Sequence, residues 1–183
     1  MHNHNNERYI STNLPKRMKK VCFAHQRDEL LQDIRNIAFV EGDIMQTDNE
    51  HDKHQVMDIC EDGNIERVTR VLDLAHNECV EALFPFSKKA IKEDFIGMEN
   101  MYDERCTYGI RLLVPDDFSI TTVSLLKNLI QEYMTSRVLA DWLGITKPSS
   151  APAWQEKADK AIEKMREAVN FRVKRVRRTQ TPF

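Results

Sequence analysis

Apolar side chains recur along most of this chain at three- and four-residue spacing, the mark of helices that bury one face. From Phe23 to about Asp43, Leu30, Ile34, Ile37 and Ala38 share a face with Leu31 beside them, while Arg27, Asp28, Asp33 and Arg35 mostly take the other. The acidic, polar stretch Gln46–Lys53 reads as a loop, and a short helix is predicted around His54–Cys60. After the Glu61-Asp62-Gly63-Asn64 turn, Asn64 is placed to cap a helix over Ile65–Phe84, carried by Val68, Val71, Leu72, Ala75, Cys79 and Leu83 and stopped by Pro85.

Between Lys88 and Pro115 the period changes to two. Tyr108, Ile110, Leu112 and Val114 alternate with Thr107, Gly109, Arg111 and Leu113, which predicts a strand. A partner strand is expected within Ile91–Met98, giving an antiparallel hairpin near 90–115. Pro115-Asp116-Asp117 breaks that strand, and Ser119 or Thr121 can cap the helix that follows, predicted over Thr121–Leu143 with Gly144 just past its end. Its stripe is Val123, Leu126, Leu129, Ile130, Tyr133, Met134, Val138 and Trp142. A Lys147–Pro152 turn, with Ser150 as cap, leads into a last helix over Ala151–Val169 with Trp154, Ala158, Ala161, Ile162, Met165 and Val169 on one face. A loop this short makes the last two helices an antiparallel pair closing on Tyr133, Trp142 and Trp154. The predicted class is mainly α (α+β): a helical bundle with a small antiparallel β-hairpin and extended termini. Residues 1–20 form a polar, flexible N-terminal arm, 21–171 a single helical domain and 172–183 a basic C-terminal arm.

Composition narrows the function classes. A chain of 183 residues with 41% apolar side chains supports one well-sized core. A net charge of −2 excludes a chain that binds polyanions through its overall charge, and only 5 glycines argue against Gly-rich phosphate loops. There is no P-loop, GxGxxG or GxSxG pattern. Four cysteines without a CxxC pair, behind an N-terminus that lacks a signal peptide, point to thiols in a reducing compartment. No apolar run approaches a membrane span, so the chain is expected to be neither secreted nor membrane-bound.

Candidate chemistry is sparse. His51 and His54 have HxxH spacing, and His76 with Cys79 forms a second pair at i, i+3, so together they are the candidate metal set. That spacing is looser than a zinc motif, and Cys79 sits on an apolar stripe as a small hydrophobe would. The expectation is therefore no metal, no cofactor and no enzyme. The stronger signal is Arg172, Lys174, Arg175, Arg177 and Arg178, five cations within seven residues, followed by a terminal Phe183. Such a run can neutralise nucleic-acid phosphates or enter an acidic protein groove, where Phe183 could act as an anchor; a solvated tail is the plain alternative.

The order of strand, Pro-Asp-Asp, long helix, Trp-Leu-Gly, Pro/Ser turn, Trp-led helix and Arg-rich end resembles head–tail connector (adaptor) proteins of tailed phages, small structural proteins of the virion. The stretches that carry the resemblance are LLVPDDF, YMTSRVLADWLGI, APAWQEKADKAIEKM and VKRVRRTQTPF, all within Tyr108–Phe183. It implies a homo-oligomeric ring set between portal and tail-type structural proteins, found in the virion or host cytoplasm, with a terminal arm gripping a neighbour. That arm would here be Arg172–Phe183. The rival expectations are a nucleic-acid-binding accessory protein acting through the same basic segment, and a small metal-dependent enzyme using His51, His54, His76 and Cys79.

Overall fold

The computed structural model describes residues 18–47, 49–84, 86–87 and 106–170. In chain order these form strand β1 (Met18–Gln26), helix α1 (Arg27–Asp43), helix α2 (Glu50–Met57) running into a 3₁₀ turn (Asp58–Cys60), helix α3 (Ile65–Ala82), strand β2 (Thr107–Pro115), and helices α4 (Ile120–Thr146) and α5 (Ala151–Asn170). The fold is mainly α with one small antiparallel sheet, as the hydrophobic pattern predicts.

α4 is the central element. It is hydrophobic on several faces, with Leu126, Ile130, Met134, Leu139 and Leu143 all fully buried, because α1, α2, α3, α5 and β1 surround it. Its 27 residues give a rod of about 40 Å at 1.5 Å per residue. α5 returns antiparallel: Lys157 meets Glu132 at 2.6 Å, and further along Lys164 and Ala168 share a groove with Leu125 and Leu129. α3 lays Leu72, Ala75 and Cys79 against the same core, and α1 adds Leu30, Ile34 and Ala38. Ile34 has no exposed surface, so Ile34→Val should cost about 1 kcal/mol, measurable as a lower urea midpoint at unchanged slope.

Several boundaries differ from expectation, each for a local reason. Residues 18–20, assigned above to the N-terminal arm, belong to β1. The helix expected from Phe23 begins only at Arg27, because Phe23 and His25 are inward positions of that strand. β2 is the predicted strand, and the strand bonded to it is β1, from Met18 opposite Pro115 to Gln26 opposite Thr107. The expected partner within 91–98 lies outside the described residues, as do 1–17 and 171–183. The stretch predicted as a loop up to Lys53 is helical from Glu50, since the Asn49 carboxamide oxygen accepts from the His51 N–H at 3.1 Å and its nitrogen donates to Asp52 at 2.9 Å. Asn64 spends its carboxamide elsewhere, donating to the Asp58 carbonyl at 2.8 Å. Gly144 is not a terminator: α4 runs on to Thr146, whose hydroxyl donates back to the Trp142 carbonyl at 3.1 Å.

α2 carries little apolar surface and is held by contact with α1. A Cβ on Gly42 would lie 2.8 Å from the Met57 Cγ and 3.1 Å from the Lys53 carbonyl oxygen, so the missing side chain is what lets the two helices approach. The Trp142 indole donates to the Val56 carbonyl at 3.1 Å, and Arg35 donates to the Cys60 carbonyl at 3.3 Å. These bonds fasten α2 and the 3₁₀ turn to the bundle.

Candidate functional site

The two ends of the bundle differ. At one end α1 finishes, α4 finishes and α5 starts, and Glu41 joins all three. Its carboxylate accepts from the Lys147 ammonium at 2.7 Å, the Trp154 indole at 3.0 Å and the Ser150 hydroxyl at 3.2 Å, while Lys147 also donates to the Glu41 carbonyl at 3.1 Å. Burial alone would raise the Glu41 carboxyl; the bonds from Lys147, Trp154 and Ser150 and the Lys147 charge outweigh it and hold the group below its ordinary value. Beside this tie, Phe39 and Val40 of α1, Ile44 just past its end and Ile145 of α4 stand 57 to 62% exposed. Asp43 and Glu50 are exposed there too.

The other end collects the start of β1, the start of α4 and the end of α5. Lys19 donates to the Phe118 carbonyl at 2.7 Å and to the Asp116 carbonyl at 3.1 Å, pinning β1 beside the α4 entrance. Met18, Ile120 and Leu125 are exposed. An apolar groove of about 220 Å3 runs between Leu125 and Leu129 of α4 and Ala168 of α5, with Lys164 and Glu167 on its rim. The described part of α5 reaches Asn170 here; the basic residues Arg172, Lys174, Arg175, Arg177 and Arg178, with Phe183, lie outside the described residues.

Along the side of the bundle a second, polar groove of about 370 Å3 is lined by Asp33 and Asn36 of α1, by Asn128, Gln131, Glu132 and Thr135 of α4, and by Lys157 of α5. Its charged groups are already engaged: Gln131 donates to Asp33 at 2.6 Å, and Lys157 pairs with Glu132 while sitting 4.7 Å over the Trp154 ring. These bonds tie α1 to α4 and α4 to α5 across the groove.

The structure does not bring the candidate metal ligands together. His51 is exposed on α2 and shares a hydrogen bond with Gln55. His54 is exposed on the same helix. His76, on α3, is turned inward with its Nε2 bonded to the Gly109 carbonyl oxygen at 3.0 Å. Cys79 is fully buried, and burial, reinforced by the Glu78 charge, pushes its thiol well above the ordinary value, so it is neither ligand nor nucleophile at neutral pH. Burial also raises the Cys60 thiol. Among the described residues no three His, Cys, Asp or Glu side chains are grouped to hold a metal ion.

Sequence reasoning missed a buried polar cluster beneath the sheet. His25 of β1 is only 3% exposed. It stands opposite Tyr108 in the strand register, and the Tyr108 ring lies 5.5 Å from that of His76. The His25 Nε2 has no hydrogen-bond partner among the described residues. Burial, with the Lys127 and His76 charges adding to it, pushes the imidazole down to about 4, so it is neutral near pH 7. The only signal in the sequence was a histidine at an inward position of an alternating segment.

Comparison with protein-family models, with curated proteins and with solved structures gives no match for this chain. Among the described residues no helix is long and apolar enough to cross a membrane.

Proposed function

We propose that this chain is a non-enzymatic assembly protein, a subunit of the head–tail connector (adaptor) kind that forms a ring and docks its basic C-terminal segment on a neighbouring portal or tail-type protein. In this reading it acts in the virion or in the host cytoplasm. The observation that carries it is where the unspent surface lies. Among the described residues no metal-binding cluster is assembled, whereas large apolar side chains such as Ile44, Ile145, Ile120 and Leu125 are left in solvent towards the ends of the bundle. Exposed apolar surface of this kind is what protein contacts use. The cations of 172–178 follow directly on one of these ends.

Removing Arg172–Phe183 should leave the helical circular dichroism and melting temperature unchanged, since the residues that α5 buries, Ala158, Ala161, Met165 and Val169, all precede the segment. The same truncation should abolish capture by portal or tail-type structural proteins encoded beside this chain. A truncated protein that is captured as well as the full chain overturns the role of the segment. The five clustered cations also favour a second reading, nucleic-acid binding. Retention on DNA that falls steeply with salt, and disappears when Arg175, Arg177 and Arg178 become Ala, would replace the first reading with that one.

A further inference from the structure

We infer that the outer edge of β1 is a strand-pairing surface on which a second copy of this chain docks, β1 against β1, antiparallel, with Cys22 opposite Cys22 on the two-fold axis. This contact is independent of the assembly reading above: it closes at two copies and leaves the apolar ends of the bundle out of the joint.

The bonds of the sheet fix which way each backbone group points. Arg27, the residue after β1, donates to the Cys106 carbonyl at 3.0 Å, which extends the β1–β2 ladder one step past Gln26 and Thr107. In an antiparallel pair, residues that exchange N–H and C=O with the partner alternate with residues that turn both away. Back from Arg27, then, His25, Phe23, Val21 and Lys19 face β2, while Gln26, Ala24, Cys22, Lys20 and Met18 face outward. The far side of β2 follows the same alternation. Leu113, opposite Lys20, turns its N–H to the Phe86 carbonyl at 3.1 Å, and Gly109, opposite Ala24, turns its carbonyl to His76 at 3.0 Å. The two edges are therefore unequal. That of β2 is met by α3 and by Phe86. That of β1 is open: among the described residues no backbone hydrogen bond reaches Lys20, Cys22 or Ala24 along it, and all five outward residues are exposed. A strand edge in this state is a template for another strand.

Charge and size select the occupant. β1 carries its cations, Lys19 and Lys20, at one end, and α1 begins past the other end with Asp28 and Glu29 exposed. Antiparallel pairing lays the cationic end of one copy towards the acidic end of the other, and pairing β1 with itself does this twice. Centred on Cys22, the register engages all five outward residues: Met18 meets Gln26, and Lys20 meets Ala24, so no like charges are opposed. The two Lys20 side chains are four positions apart, about 14 Å at 3.4 Å per residue, beyond the screening length of physiological salt. The other charges of the sheet and its flank, Arg111, Asp116 and Asp117, belong to β2 and the turn after it, one strand further from the joint. Cys22 and Ala24 at its middle are small, so nothing bulky holds the two backbones apart.

The full chain tests this in a Cys106→Ser background, which leaves Cys22 as the exposed thiol. Its mass in solution is followed up to about 1 mM, so that even a millimolar dissociation constant registers, and a short bis-maleimide reports on Cys22. A dimer should form, and a Cys22–Cys22 link should rise with it. Ala24→Pro removes an N–H that the β1–β2 ladder does not use, so it should abolish the link with circular dichroism unchanged. Ala24→Lys sets Lys against Lys20 of the second copy and should weaken the dimer about fivefold, whereas Ala24→Glu should tighten it about as much. Should Ala24→Pro unfold, these two charge variants decide. A chain that stays monomeric, a folded Ala24→Pro chain that links as well as its parent, a dimer without the Cys22 link, or Lys and Glu at position 24 acting alike would each overturn the inference.

Discussion

Replacing Glu41 by Ala should destabilise the fold by about 3 kcal/mol, because it breaks a largely buried ion pair and leaves one member in place. Lys147 and Glu41 have side chains only 15% and 16% exposed. The substitution strands the Lys147 ammonium and removes the acceptor of the Trp154 indole and the Ser150 hydroxyl at once. Glu41→Gln should cost less, about 1–2 kcal/mol, since a carboxamide oxygen can still accept from Trp154 while the charge is lost. Adding Lys147→Met to Glu41→Ala removes the stranded cation, so the double variant should be more stable than the two single losses sum to, by about 2 kcal/mol. Urea denaturation of the four chains measures the cycle. A Glu41→Ala chain within about 0.5 kcal/mol of wild type, the ordinary range for a surface substitution, would show that the tie is ornamental.

Acid should weaken the protein well before its carboxylates are protonated. His25 is neutral in the folded state, with a value near 4 against 6.5 for an exposed imidazole. Above pH 6.5 neither folded nor unfolded chain carries a proton there, and the site costs nothing. As pH falls below 6.5 the unfolded chain binds the proton and the folded chain does not, so stability declines until the folded imidazole also titrates near 4. The loss from pH 7 to pH 4.5 should be about 2–3 kcal/mol. His25→Phe should remove most of that slope, and Lys127→Met should shrink it by taking away one of the two charges that disfavour the imidazolium. Glu41 moves stability in the same direction but later: its folded value is depressed, so its contribution is whole above the ordinary carboxylate value and is lost as pH falls from there through the lower folded value. A His25→Phe chain with the wild-type pH profile would assign the slope to other groups.

What could be read from the residues was whatever one segment decides for itself. α3, β2 and α5 were legible because each has a long apolar stripe of a single period, α4 because apolar residues recur on every turn although it buries several faces, and the α4–α5 pairing followed from the short loop between them. β1 was not, because its inward positions are Val21, Phe23 and His25, with Ala24 between them, and a buried histidine reads as polar. Its pairing with β2 was beyond reach for a different reason. Periodicity identifies a strand but carries no information about a partner more than 80 residues away, so the nearest candidate was preferred. α2 has a legible cap in Asn49, but its place depends on the absent side chain of Gly42. Glu41 looks in the sequence like a solvent-facing acid on a polar helix face; only tertiary structure brings it to Lys147, 106 residues on.

The pairing of β1 with β2 also sets the order in which this molecule can be made. Gln26 and Thr107 are 81 residues apart and are the nearest pair of the ladder. At about 5–20 residues per second, a ribosome needs roughly 4–16 s to supply β2 once β1 has emerged. α4, against which α1, α2 and α3 all bury their stripes, comes later still. Until then Leu30, Ile34, Leu72 and Cys79 have no central helix to cover them. The nascent N-terminal half is thus an open, sticky intermediate, a natural client for a chaperone, and the chain becomes a stable body only when its last third is released.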